Sequence, residues 1–363
     1  MFRIVLTLIY ISVVLQLFGQ SNELSDTIFK EEIPAENTFA NELNSKRIIR
    51  GFSIQEENDS TLELIGLKNE DRDYTGGLKM EIFSDYLNYG SFPLIKNKKC
   101  AECNYNSMFI QGFGFTPTRE VFHLTEPAIG QRPYGSFVGI GRKRIAAFRN
   151  LLKSRNSSVV TEYAIAKVGG NGFGDIQNWI HRKIPRANPV LGWHNQIAQG
   201  GRLGYYYKAK LNYGVGLFST WMMFVSPEIT RGNLYKNQGL SFSISNRHPA
   251  DISILEAITG TRGVQQKKRL QLKTYINYLY VQHNTFLLGF PKNDKSTYVL
   301  EEVDINKHLV QLGLAFYYMF SRNASKNENA MTIVFELIWR NKEFVNHQSH
   351  SFANVGFNYM LKK

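Results

Sequence analysis

Gln177 and His181 stand four residues apart in GDIQNWIHRKIP, residues 174–185. Histidine is the side chain whose ordinary pKa lets it take and give protons near neutrality, so it is the natural general base for a hydrolysis. An amide four positions earlier on a helix lies on the same face. Two other stretches are rich in oxygen donors: EENDS at 56–60 and DRDYTGG at 71–77. A carboxylate, an amide and a hydroxyl brought together suit a hard cation such as Ca²⁺. The same Asn, Asp and Gly residues also form ordinary turns. A third stretch, FTPTREVFHLTEPAIGQRPYG at 115–135, adds a polar, proline-fixed loop ending in Arg132-Pro133-Tyr134-Gly135. There is no G-x-S-x-G elbow to present an activated serine. The two cysteines, Cys100 and Cys103, lack the second pair of a zinc site and read as a local disulfide in an exported chain.

The elements that must hold these groups are legible from patterning. A glycine-rich turn precedes Asp175, which reads as an N-cap, and Pro185 cannot continue a helix, so about ten residues of helix fit between them. Ile176, Ile180 and Ile184 form an apolar stripe beside the Gln177/His181 face. Elsewhere the period is two. In SFANVGFNYMLKK, Ala353, Val355, Phe357, Tyr359 and Leu361 oppose Asn354, Gly356 and Asn358. In MTIVFELIWRN, Ile333, Phe335, Leu337 and Trp339 oppose Thr332, Glu336 and Arg340, which sets a Glu and an Arg toward one polar interior. LQLKTYINYLYV repeats the pattern, and 19 Tyr with 25 Phe suit two interfacial girdles. Comparable segments recur from 48–58 to 351–361, including 192–213 and a two-part 297–320. They predict an all-β fold: an antiparallel transmembrane β-barrel of about twelve strands with one short active-site helix. A large soluble β-sandwich is the alternative.

Residues 1–20 carry a basic start, an apolar run from Ile4 to Phe18 and small or polar residues after it, the pattern of a secretory signal. Residues 21–47, rich in Glu, Asn and Asp, read as a mobile lead, and 48–363 as the barrel. Against 30 Asp and Glu stand 43 Lys and Arg, a net charge of +13. For an exported chain, that excess points to lipid phosphates or lipopolysaccharide rather than nucleic acid. Oligomeric state is not legible.

In order along the chain, ND, DYTGG, TP, RPYG, GG with Q-x-x-x-H, and GW (Gly192, Trp193) together resemble the outer-membrane lipid A 3′-O-deacylase family. The resemblance implies a twelve-stranded barrel with its active site between the barrel wall and a short helix, dependence on Ca²⁺, and removal of the 3′ acyl-oxyacyl group of lipid A. By position it implies His181 as general base and Gln177 as its same-face neighbour. It further implies Asn58 and Asp59 on the metal or oxyanion side, Thr75 as a further polar group, and Arg119 as the basic residue after the third strand. The family's DRPYAG stands here as Gln131 to Ser136, without the Asp, so no role passes to Gln131. The chemistry is coherent: a His that deprotonates water beside a cation that polarises a carbonyl needs no covalent intermediate. A non-catalytic channel or structural barrel, and a phospholipase acting on outer-membrane phospholipid, are the competing readings.

Overall fold

The computed structural model describes residues 49–58, 73–84, 87, 104–118, 121, 123–148, 157–170, 172–183, 190–218, 221–246, 270–292, 294–320, 330–345 and 347–361. The expected signal, the N-terminal lead and the cysteine pair lie outside the described residues. Within the unit Arg47–Lys363, the described residues form a closed barrel of twelve strands. The strands are β1 (Gly51–Asn58), β2 (Asp73–Phe83), β3 (Asn104–Thr118), β4 (Gly135–Phe148), β5 (Ser157–Val168), β6 (Arg202–Phe218), β7 (Trp221–Gly232), β8 (Tyr235–Ser245), β9 (Leu270–Asn284), β10 (His308–Phe320), β11 (Ala330–Arg340) and β12 (His350–Met360). Each pairs antiparallel with its neighbours in sequence, and β1 closes on β12 from Gly51↔Met360 to Asn58↔Ala353. Closure satisfies every strand edge, which a bilayer requires because it offers the backbone no water.

Alternation decides which side of each strand meets lipid. Ile54, Met80, Ile110, Ile140, Ile165, Phe242 and Ile276 are exposed on the outside, while their chain neighbours face the lumen. The lumen carries the polar residues in pairs: Lys79 with Glu162 at 2.9 Å, Lys208 with Glu228 at 3.3 Å, and Asn354 donating to Glu336 at 2.8 Å. The Glu336 face of β11 and the Asn354 face of β12 therefore point inward, as their period of two predicts.

Two expected boundaries moved. β6 begins at Arg202 because Gly192–Asn195 form a 3-10 turn. The segment 297–320 yields one strand, β10, since residues before it fold into the barrel end around a second 3-10 turn, Glu302–Asp304. That loop also carries α2 (Thr285–Leu288), capped by the Asn284 side chain accepting from Phe286 N. Phe286 is fully buried and its ring meets Phe115 at 4.9 Å, Phe137 at 5.3 Å and Tyr235 at 5.7 Å. Aromatic rings thus fill the lumen at this end. Beside them Arg132 is buried and donates to Glu343 at 2.7 Å, and Arg340 reaches the same carboxylate at 2.8 Å.

Candidate active site

One helix, α1 (Phe173–His181), stands on the barrel wall at the plugged end. It starts before Asp175, which occupies the first turn rather than the N-cap. Gly169 and Gly170 take positive φ (68° and 38°) and swing the chain round early, and Asp175 N already donates to the Gly172 carbonyl at 3.2 Å. An acidic side chain in the first turn still favours the helix dipole.

The alternation of β3 shows which side of the wall α1 occupies. Met108 and Ile110 are exposed outward; Phe109 and Gln111 are buried inward; so Gly112 and Gly114 fall on the outer face. A Cβ on Gly112 would stand 2.3 Å from the Phe173 ring, and one on Gly114 would stand 2.7 Å from Gln177 Oε1. The helix therefore lies outside the barrel, on a bed that only glycine leaves open. Ile176 and Trp179 are exposed; of the rest of the expected apolar stripe, the Ile180 side chain and Ile184 lie outside the described residues.

Behind α1, Trp193 fills the space over Gly174, where a Cβ would stand 2.5 Å from the indole, and its ring meets Tyr134 at 5.9 Å edge-on. Burial pushes the Tyr134 phenol up to about 12. Asn178 clamps the returning chain: its Nδ2 donates to the Val190 carbonyl at 2.8 Å, and its Oδ1 accepts from Val190 N at 2.9 Å. The RPYG motif thus divides its work. Arg132 locks the lumen loops through Glu343, and Tyr134 supports the helix platform outside. Gln131 accepts from Thr118 N and Oγ1 at 3.2 and 3.1 Å, tying the loop between β3 and β4.

Strand register puts the backbone of Asn58 in line with the bed of α1. Asn58 pairs with Gly76, Gly76 with Gly114, and Gly114 with Ser136, a row across β1 to β4. Thr75 sits beside it, opposite Phe115. Gln177 rests on the middle of this row, and His181, one helical turn later, is the last residue of α1. For Asn58, Thr75 and His181 only the backbone is described; Asp59 and Arg119 lie outside the described residues.

Gln177 is 4% exposed, and among the described residues neither its Nε2 nor its Oε1 has a hydrogen-bond partner; the buried Trp193 Nε1 has none there either. Buried polar atoms are almost always paired, and leaving one unpaired costs about 1–3 kcal/mol, which marks the Gln177 amide as the candidate contact for a bound ligand. Ser136 is equally buried, but its Oγ donates to Gln196 Oε1 at 2.7 Å, and an amide cannot take its proton. Among the described residues, no group of three or more His, Cys, Asp and Glu gathers to hold a metal. Sequence patterning did not single out Asn178, Ser136 or the bed of Gly112 and Gly114, although QGFGF at 111–115 breaks the outward apolar series of β3 with two glycines.

The profile of the family described as "Outer membrane protein LpxR" matches residues 27–361. No curated protein matches the sequence. Among solved structures, LpxR from Salmonella typhimurium is similar at 20% identity with a TM-score of 0.61, covering 86% of this chain and 100% of that one. The β domain of the Bordetella autotransporter BrkA is 9% identical with a TM-score of 0.41, over 86% of this chain and 100% of that one. The KdgM porin is 8% identical with a TM-score of 0.35, over 85% of this chain and 99% of that one.

Proposed function

Because the chain belongs to the outer membrane protein LpxR family, the lipid A deacylase family that its motifs resemble, we propose that it hydrolyses the 3′ acyl-oxyacyl ester of lipid A from within the outer membrane, after export through its N-terminal signal. The observation that carries this reading is the partnerless, buried Gln177 amide lying between α1 and the outer side of the wall. A site on the outside of a barrel is open to membrane lipid, whereas a channel would use the lumen, and at this end the lumen is packed with aromatic rings.

In the proposed reaction, His181 removes a proton from water as the water oxygen attacks the ester carbonyl carbon. The bond from that carbon to the sugar 3′ oxygen then breaks, and the proton passes to the departing oxygen. The products are an acyl-oxyacyl carboxylic acid and a free 3′ hydroxyl. Water, rather than a serine, is the nucleophile that Ser136 argues for, since its hydrogen bond ends on a neutral amide. Gln177 and the row beneath it bind and orient the ester. The proton transfer accounts for roughly 10²–10⁴ in rate.

By residue type Asn58, Asp59 and Thr75 offer the amide, carboxylate and hydroxyl oxygens that Ca²⁺ takes and would hold it, with Gly76 opposite Asn58 adding no side-chain bulk. When bound there, the ion would supply positive charge to polarise the carbonyl. Arg119, next after β3, would place a second positive charge at the same end. The basic excess of +13 suits a phosphorylated substrate.

Mass spectrometry of lipid A from cells carrying the wild type or His181→Ala, with Ca²⁺ present or chelated, tests the reading. Loss of the 3′ acyl-oxyacyl group is expected only for the wild type with Ca²⁺. Intact lipid A in every sample, with the barrel inserted, would sink it.

A further inference from the structure

The outer face of the wall directly beyond α1 is continuous with the bed on which Gln177 rests. Two residues on from Gly114, register aligns Leu78, Gly112 and Val138, with Phe173 roofing Gly112. Two further on it aligns Met80, Ile110, Ile140 and Ile165, all on the outer face and 44–53% exposed. The next row brings Arg142 opposite Met108, and its guanidinium donates to the Leu87 carbonyl. The apolar strip that begins at the site is therefore interrupted by a cation six residues from Gly114, roughly 20 Å along the strand.

We propose that this strip is the acyl track of the enzyme and that Ile110, Ile140 and Arg142 set the length of the 3′ chain it accepts. The inference rests on the deacylase reading and adds its specificity residues. An acyl chain whose ester sits at Gln177 has to enter hydrocarbon, and Ile176 and Trp179 on the outer side of α1 mark the helix itself as lying at that boundary. The chain leaves alongside Phe173, whose ring closes over Gly112, and meets Ile110 and Ile140 first. A chain that reaches Arg142 must bring methylenes against a guanidinium, which disfavours longer substrates. Other apolar parts of the barrel surface, such as Ile276 on β9, meet lipid but do not lead from the site.

The test uses the full-length protein in outer membranes, given an equal mixture of two lipid A preparations differing only in the length of the 3′-linked chain. The readout is the ratio of the two acids released. Ile110→Trp and Ile140→Trp shorten the track and are expected to shift the ratio toward the shorter chain by roughly tenfold or more, the discrimination a few methylenes give in an apolar pocket. Arg142→Leu is expected to shift it toward the longer chain, and Ile276→Trp to leave it unchanged. These positions face lipid, and insertion of each variant is checked by its heat-modifiable migration. An unchanged ratio in all three track variants, or an equal shift in Ile276→Trp, overturns the track. Release of neither acid by the wild type instead overturns the deacylase reading itself.

Discussion

The side-chain oxygen of Gln177 lies 2.7 Å from the point where a Cβ on Gly114 would stand, closer than a real Cβ approaches anything. The absent side chain on β3 is thus what lets α1 reach the wall. Gly114→Ala drives the Gln177 amide off the row, and a displacement near 1 Å of a group that must orient the substrate costs about 10² in rate. Activity is expected to fall by that order while the barrel stays folded, because the wall's hydrogen bonds are untouched. Deacylation rate and heat-modifiable migration, measured together, check both halves.

Asn178 holds α1 from behind through two hydrogen bonds to one residue, Val190. Asn178→Asp keeps the acceptor for Val190 N but replaces the donor with an oxygen that repels the Val190 carbonyl. The loop closing the helix should loosen by about 1–3 kcal/mol. Faster backbone exchange across residues 173–183, with the strands still protected, is the expected outcome; equal protection in variant and wild type would show that Trp193 alone holds the helix.

The barrel was legible in the sequence because a period of two survives wherever one strand face meets lipid and the other a polar lumen, as in Ile333, Phe335 and Leu337 against Glu336. The ends of elements were less so. Asp175 looks like a cap, yet two glycines with positive φ let the helix begin earlier, and backbone geometry of that kind has no side-chain signature. Gln177 was legible from its spacing to His181, but its isolation was not. That depends on Gly114, Phe173 and Trp193, which meet only through register and packing across distant segments. Arg132 was visible as part of a motif, while its partner Glu343 lies 211 residues away and no local pattern joins them.

That pair yields a pH prediction. Burial alone would raise the Glu343 carboxyl, but Arg132 and Arg340 hold it well below the usual carboxylate range. A carboxyl depressed in the folded state contributes stability that is fully present above its unfolded pKa and is lost as pH falls through the folded value. Glu343→Gln leaves the buried Arg132 and the half-buried Arg340 without that anion and is expected to cost about 3 kcal/mol at neutral pH. Thermal unfolding compared across pH should show that deficit constant down to the ordinary carboxylate range and shrinking only in stronger acid. A deficit that vanishes near pH 6 would assign the stabilisation to another group.

Ser136 and His181 separate the two ways in which an ester can be opened here. If a serine attacked, Ser136→Ala would abolish the reaction, and a covalent acyl-enzyme would precede release. Its Oγ, however, donates to Gln196 Oε1 at 2.7 Å, an amide oxygen that cannot act as its base. Ser136→Ala is therefore expected to cost about 1 kcal/mol of local stability and to change the rate only a few-fold. His181→Ala removes the proposed base and should lower the rate by roughly 10²–10⁴. Intact-protein mass early in a turnover separates the two routes further, because label from ¹⁸O water enters the released acid by either one: a serine route leaves a covalent acyl-enzyme, whereas direct attack leaves the protein mass unchanged. Loss of activity in Ser136→Ala, with α1 still protected from exchange, would overturn the water mechanism.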